Sequence, residues 1–157
     1  MPLPITPSQK TSVVSVFEDD IGLIEDFIRD NYSPAIAWGD FKPWMRWYRE
    51  NKLLGYIKRD NEIQGVALVR FVHSTKQALS EPYFNDPFAQ ICWIELVIAP
   101  EPDVLARLID LLLVVWGPRE KFAARRNHLG GVIKEYPFRV LSRVAYKGLT
   151  QLLSASK

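Results

Sequence analysis

The chain predicts a single mixed α/β domain, a central sheet flanked by helices. Three observations predict it. Runs with strand patterning alternate with runs of helical spacing, in the order strand, helix, helix, hairpin, strand, helix, strand, short helix, strand. The 157 residues suit one domain and are short for two. The composition, 48% hydrophobic and 24% charged, is that of a globular chain and excludes a disordered one.

The elements follow in order. Met1 to Lys10 contains three prolines and is expected to be a flexible segment ahead of a domain over 11–157. Thr11 to Phe17 is β-branched and loosely alternating, which predicts a short strand. Asp20 is placed to cap a helix over Ile21 to Asn31, where Ile21, Leu23, Ile24, Phe27 and Ile28 share one face. A second helix is expected to start near Pro43, after Asp40, with Trp44, Trp47 and Tyr48 on one face. Lys52 to Arg59 and Ile63 to His73 read as strands joined by the tight turn Asp60-Asn61. Ser74 to Gln90 has two prolines and is long for a connection without structure, a property common in functional loops.

Ile91 to Ala99 is almost wholly apolar and ends at Pro100, as expected of a central strand buried on both faces. Pro102 and Asp103 open a helix to about Trp116 that is apolar nearly all round and stopped by Gly117-Pro118. Lys121 to Arg126 predicts a further strand, His128 to Glu135 a short helix or turn, and Phe138 to Tyr146 a last strand. A strand, a buried helix and a strand at this spacing predict a right-handed parallel crossover.

Charge and cysteine usage narrow the function classes. The net charge is +2. Arg119 to Lys147 nevertheless holds eight cations against Glu120 and Glu135, while Glu18 to Asp30 is acidic. The basic third is either a solvated face or a surface for an anion. Arg125, Arg126, Arg139, Arg143 and Lys147 lack interleaved aromatics, which argues against nucleic acid. A single cysteine, Cys92, cannot form an internal disulfide and fits a reducing compartment. Met1 to Lys10 lacks the pattern of a signal peptide, and the longest apolar run, Leu111 to Trp116, is too short to span a bilayer. A cytoplasmic protein without a membrane partner is expected. His73 and His128 are too isolated for a metal site, so no metal is expected.

Glu95 is the lone charge in Ile91 to Ala99. A carboxylate in a buried strand is costly unless paired, and burial would raise its proton affinity into a catalytic range. Two readings stand: a general base, or a structural carboxylate that pairs with an arginine such as Arg70 or simply reaches the sheet edge. Trp38, Trp44, Trp47 and Tyr48 form either the wall of a substrate pocket or part of the core.

The order of elements resembles that of the GNAT superfamily of acyl-CoA N-acyltransferases. EIQGVALVRFV at Glu62 to Val72 resembles the family's third strand, and WIELVIAPE at Trp93 to Glu101 its fourth. VLARLIDLLLVVWG at Val104 to Gly117 resembles the following helix, and FAARRN at Phe122 to Asn127 the fifth strand and the asparagine after it. KEYPF at Lys134 to Phe138 resembles the end of the fourth helix. The match covers about two-thirds of the chain.

The resemblance implies a mostly antiparallel sheet and acetyl-CoA or another acyl-CoA as donor. The donor would lie where the fourth and fifth strands splay, against Val97, Ile98 and Ala99, with Val104 at the helix start and Asn127 completing the site. It implies Glu95 as base, Tyr136 as acid and a small-molecule or peptide amine as acceptor. The family's glycine-rich phosphate loop is missing, however. Glu101 passes through Pro102 and Asp103 into Val104, no glycine occurs before Gly117, and Pro102 has no N–H to offer. The alternative is a non-catalytic binding or assembly protein, as in GNAT-like proteins of phage particles, for which a homodimer is one possible state.

Overall fold

A computed structural model describes residues 9–12, 20–31, 38–117, 119–126 and 132–143. The elements are β1 (Gln9–Ser12), α1 (Ile21–Asn31), α2 (Trp38–Glu50), β2 (Leu54–Arg59), β3 (Glu62–Val72), α3 (Thr75–Ser80), β4 (Ile91–Ile98), α4 (Pro102–Val115), β5 (Lys121–Arg126) and β6 (Val132–Pro137). The strands form one six-stranded sheet in the order β1-β2-β3-β4-β5-β6. Every neighbouring pair is antiparallel except β4 and β5, which are parallel and joined by α4. The fold is therefore mixed α+β, with a mostly antiparallel sheet flanked by helices.

The hairpin follows from two residues. Asp60 and Asn61 have φ of 52° and 64°, the left-handed pair that matches the twist of the strands they join. Alternation along the strands then assigns the helices to faces. Tyr56 and Lys58 both reach Asp20, at the start of α1, so they point to the α1 side. Ile57 and Ala67 pack with Val104 and Leu108 of α4, on the opposite side. Asp20 is 1% exposed; the Tyr56 hydroxyl donates to it at 2.7 Å and the Lys58 ammonium at 2.6 Å.

The structure corrects several expectations. The second helix starts at Trp38 rather than near Pro43, which occupies an interior position and removes one helical donor. Phe41, fully buried, holds the turn before it against the core, so burial outweighs the proline. The segment after β3 carries α3, which Ser74 caps by accepting from the Gln77 N–H at 3.0 Å. Val132 to Pro137 is a strand where a short helix or turn was expected over His128 to Glu135, and 138–143 is helical where a last strand was expected. Pairing with the whole of β5 decides the first, and burial of Leu141 in the core the second. β1 lies at Gln9–Ser12, so Thr11 and Ser12 fall in the strand expected over Thr11 to Phe17 while Gln9 and Lys10 fall in the segment expected to be flexible; residues 13–19 are outside the described set. β4 is only partly buried, and α4 leaves Val114 71% exposed near its end.

Gly65 sets the distance between α4 and the sheet. A Cβ there would lie 2.5 Å from Val104 Cγ1 and 3.2 Å from the Ile98 carbonyl oxygen. A β-branched side chain on a helix and a strand carbonyl are both stiff obstacles. Gly65→Ala is expected to destabilise the fold by about 1–3 kcal/mol, seen as a lower urea midpoint. An unchanged midpoint would show that α4 is not closely seated.

Candidate functional site

The site grows from an irregularity in β4. Leu68 pairs with Leu96 and Val69 with Ile94, so Glu95 is an extra residue opposite β3, a β-bulge. A bulge bends its strand and sharpens the local twist. On the other side of β4, pairing with β5 begins at Ile91↔Lys121 and stops at Ile94↔Ala124. Both strands continue, β4 to Ile98 and β5 to Arg126. Among the described residues no strand pairs with the β5-facing edge of β4 beyond the bulge. The strand pair opens where the bulge turns β4 away.

Glu95 projects on the same face as Trp93, whose indole N–H donates to Glu95 Oε2 at 2.6 Å. Arg70 Nη2 approaches the same oxygen at 3.5 Å. The expectation of a deeply buried carboxylate is corrected: the Glu95 side chain is 29% exposed, and Arg70 is its partner, at 1%. The pairing arises because Arg70 stands opposite Trp93 in the ladder, one residue from the bulge.

Arg70 is a buried cation within β3, and its remaining donors organise the next segment. Nη1 donates to the Glu81 carbonyl at 2.9 Å and to that of Phe84 at 3.4 Å, and Nη2 to the Ala78 carbonyl. One side chain thus fixes α3, the loop behind it and Glu95. Among the described residues its Nε is buried with no hydrogen-bond partner, as is the hydroxyl of Tyr48. Burial pushes the Tyr48 hydroxyl above the usual tyrosine range, and the Glu95 charge adds to this, while Arg70 acts in the opposite sense. Tyr48 therefore stays protonated beside the carboxylate.

Around this polar centre lies the aromatic cluster. Trp44 and Trp47 meet Tyr48 edge-on, with centroids 5.4 and 4.9 Å away, and Tyr83 meets Trp47 at 5.3 Å. Tyr48 is fully buried and Trp44 and Trp47 pack on the main core, while Tyr83 is 49% exposed. These residues serve the core first, with Trp44 and Trp47 half-buried and Tyr83 at the surface beside Trp47. Trp38 opens α2, so it stands on the same helix as the others.

The other expected site residues divide. Val97 and Ala99 pack toward α4, leaving only backbone for the open edge, and Ile98 and Val104 are buried. Tyr136 is not brought to Glu95. It stands in β6, not at a helix end, and pairs with Phe122, which pairs with Cys92. Glu95 shares the face of Trp93 and Ala123, so the sheet separates the two side chains. Asn127 and His128 lie outside the described residues. α4 begins at Pro102, and Glu101 before it makes no side-chain cap, so the helix start carries the carboxylates of Glu101 and Asp103 and lacks one N–H. A diphosphate does not fit there. Among the described residues no three His, Cys, Asp or Glu side chains converge on a metal site.

Two measurements test this account. Arg70→Met should destabilise by about 3–5 kcal/mol in urea, because Glu95 and three carbonyls lose their partner; Glu95→Gln, which keeps an acceptor for Trp93 and Arg70, should cost under about 1.5 kcal/mol. Equal losses would mean that Arg70 is not the organiser. Burial also pushes the Cys92 thiol from 9.0 up to about 12. Stability from the neutral thiol is present below pH 9 and is lost as pH rises toward 12. The native thiol should resist a disulfide reagent at pH 8 and react fully in denaturant; rapid native reaction would contradict its burial.

No model of a known protein family matches this chain, and neither does any curated protein.

Proposed function

We propose that the chain is an N-acyltransferase of the GNAT type, which moves an acyl group from acyl-CoA to the amine of a small molecule or peptide. The observation that supports this most is the open edge of β4 beyond Ile94, with the Glu95 carboxylate at its bulge. An extended chain with amide groups, such as the pantetheine arm of CoA, adds to such an edge through backbone hydrogen bonds. The thioester would then lie near Glu95. The amine nitrogen attacks the thioester carbonyl, a C–N bond forms and the C–S bond breaks. The proton from nitrogen passes to Glu95 and CoA leaves as the thiolate. The partly exposed Trp47 and Tyr83 provide an apolar wall for the acceptor.

A non-catalytic GNAT-like binding or assembly protein is the second reading, and different observations favour it. Arg70 and Trp93 already engage Glu95 Oε2, and the start of α4 offers nothing to a diphosphate. Thermal unfolding with acetyl-CoA separates the readings. Ligand at 100 times its Kd adds about 2.7 kcal/mol of stability, and Glu95→Gln should keep that gain while losing transfer to an amine. No shift at millimolar acetyl-CoA removes the enzyme, and a dimer in light scattering would then support assembly.

A further inference from the structure

A cleft of about 130 Å³ opens between α1 and α2, over Leu54 at the start of β2. Ile24 and Glu25 line it from α1, and Lys42, Met45, Arg46 and Arg49 from α2. The α2 residues are spaced three and four apart, so they form one face of that helix. Trp44, Trp47 and Tyr48 stand on another face. The cleft therefore uses none of the side chains assigned to acyl transfer.

Its floor is apolar, since Ile24, Met45 and Leu54 are all buried. Its rim is cationic. Arg46 is exposed and Arg49 half-buried, one turn apart on α2. Glu25 is the one carboxylate among the described lining residues, and the Lys42 ammonium stands 3.9 Å from its Oε2. That pair balances itself and leaves the two guanidinium charges over. Among the described residues no ion pair reaches either of them. An anion with an apolar body meets both halves of such a cleft. Carboxylate oxygens match the planar fork of a guanidinium, and an apolar body removes the floor from water. An apolar cavity of about 150 Å³ takes benzene, so a body of about that size fills this one. Inorganic phosphate has the charge but nothing to cover the floor.

We infer that the cleft between α1 and α2 binds a small carboxylic acid with an apolar body. Arg46 and Arg49 hold the carboxylate, and the body lies on Ile24, Met45 and Leu54. The site does not depend on acyl transfer and would stand if the chain proved non-catalytic.

Benzoate is the probe, titrated calorimetrically into the intact chain at fixed ionic strength. Benzyl alcohol, with the body but no charge, and inorganic phosphate, with charge but no body, are the controls. Wild type should bind one equivalent of benzoate saturably and at least about tenfold more tightly than either control. Arg46→Gln and Arg49→Gln should each weaken benzoate binding about tenfold, and Arg49→Lys, which keeps the charge but not the planar fork, should lie between. Arg139→Gln, which removes an exposed cation elsewhere, should bind like wild type. Circular dichroism confirms folding. Should the Arg49 variants not fold, Arg46→Gln, at an exposed position, carries the test. Absence of saturable benzoate binding by wild type, or wild-type binding by folded Arg46→Gln, overturns the site. Phosphate binding as tightly as benzoate, or a loss in Arg139→Gln as large as in Arg46→Gln, would reduce it to general surface charge and also overturn it.

Discussion

A buried arginine governs how this sheet is covered. Arg70 sits in the middle of β3 with 1% of its side chain exposed. A cation there must be met by charge or by dipoles, because the interior solvates it poorly. The fold meets it with both: the Glu95 carboxylate, and the carbonyls of Ala78, Glu81 and Phe84. Those carbonyls belong to α3 and the loop behind it, so the same requirement folds a long connection down onto the sheet. Such an arrangement is weak support for stability as such, since an apolar replacement of similar volume can do as well. Its value lies in position, because it fixes one carboxylate at one place on β4.

That place coincides with the bulge. An extra residue in β4 bends the strand, and the parallel pairing with β5 ends one residue before it. The opening and the carboxylate therefore share a cause in the geometry of one strand. Opposite, α4 crosses the sheet with Gly65 allowing close approach. One face of the sheet thus holds a carboxylate with aromatic neighbours, and the other an apolar contact with α4. The proposed acyl transfer draws on the first of these faces.

Parts of this were legible along the chain and parts were not. The Asp60-Asn61 turn was legible because the left-handed backbone is a property of the residues that adopt it. α4 and β5 were legible because their apolar periods are long or sharply bounded. Glu95 stood out as a lone charge in an apolar run, and Arg70 gives the same signal in β3. β6 was misread because it is an edge strand with an indistinct exposed and half-buried pattern, and its state depends on β5. The start of α2 was misread because Pro43 usually marks a first turn, while the burial of Phe41 acts through the core. Tyr136 was misplaced with β6, and its face was fixed by a register that no single segment contains.

The sequence by itself determined the alternation of strands and helices, the hairpin, the crossover and the two unusual charges in apolar strands. Each of these follows from contacts among neighbours in the chain or from the polarity of one short run. Only the tertiary structure decided that Glu95 is a bulge, that Arg70 is its partner and that Tyr136 faces away. These depend on register and packing between segments far apart in the chain, where the side-chain period of two turns a shift of one residue into a change of face.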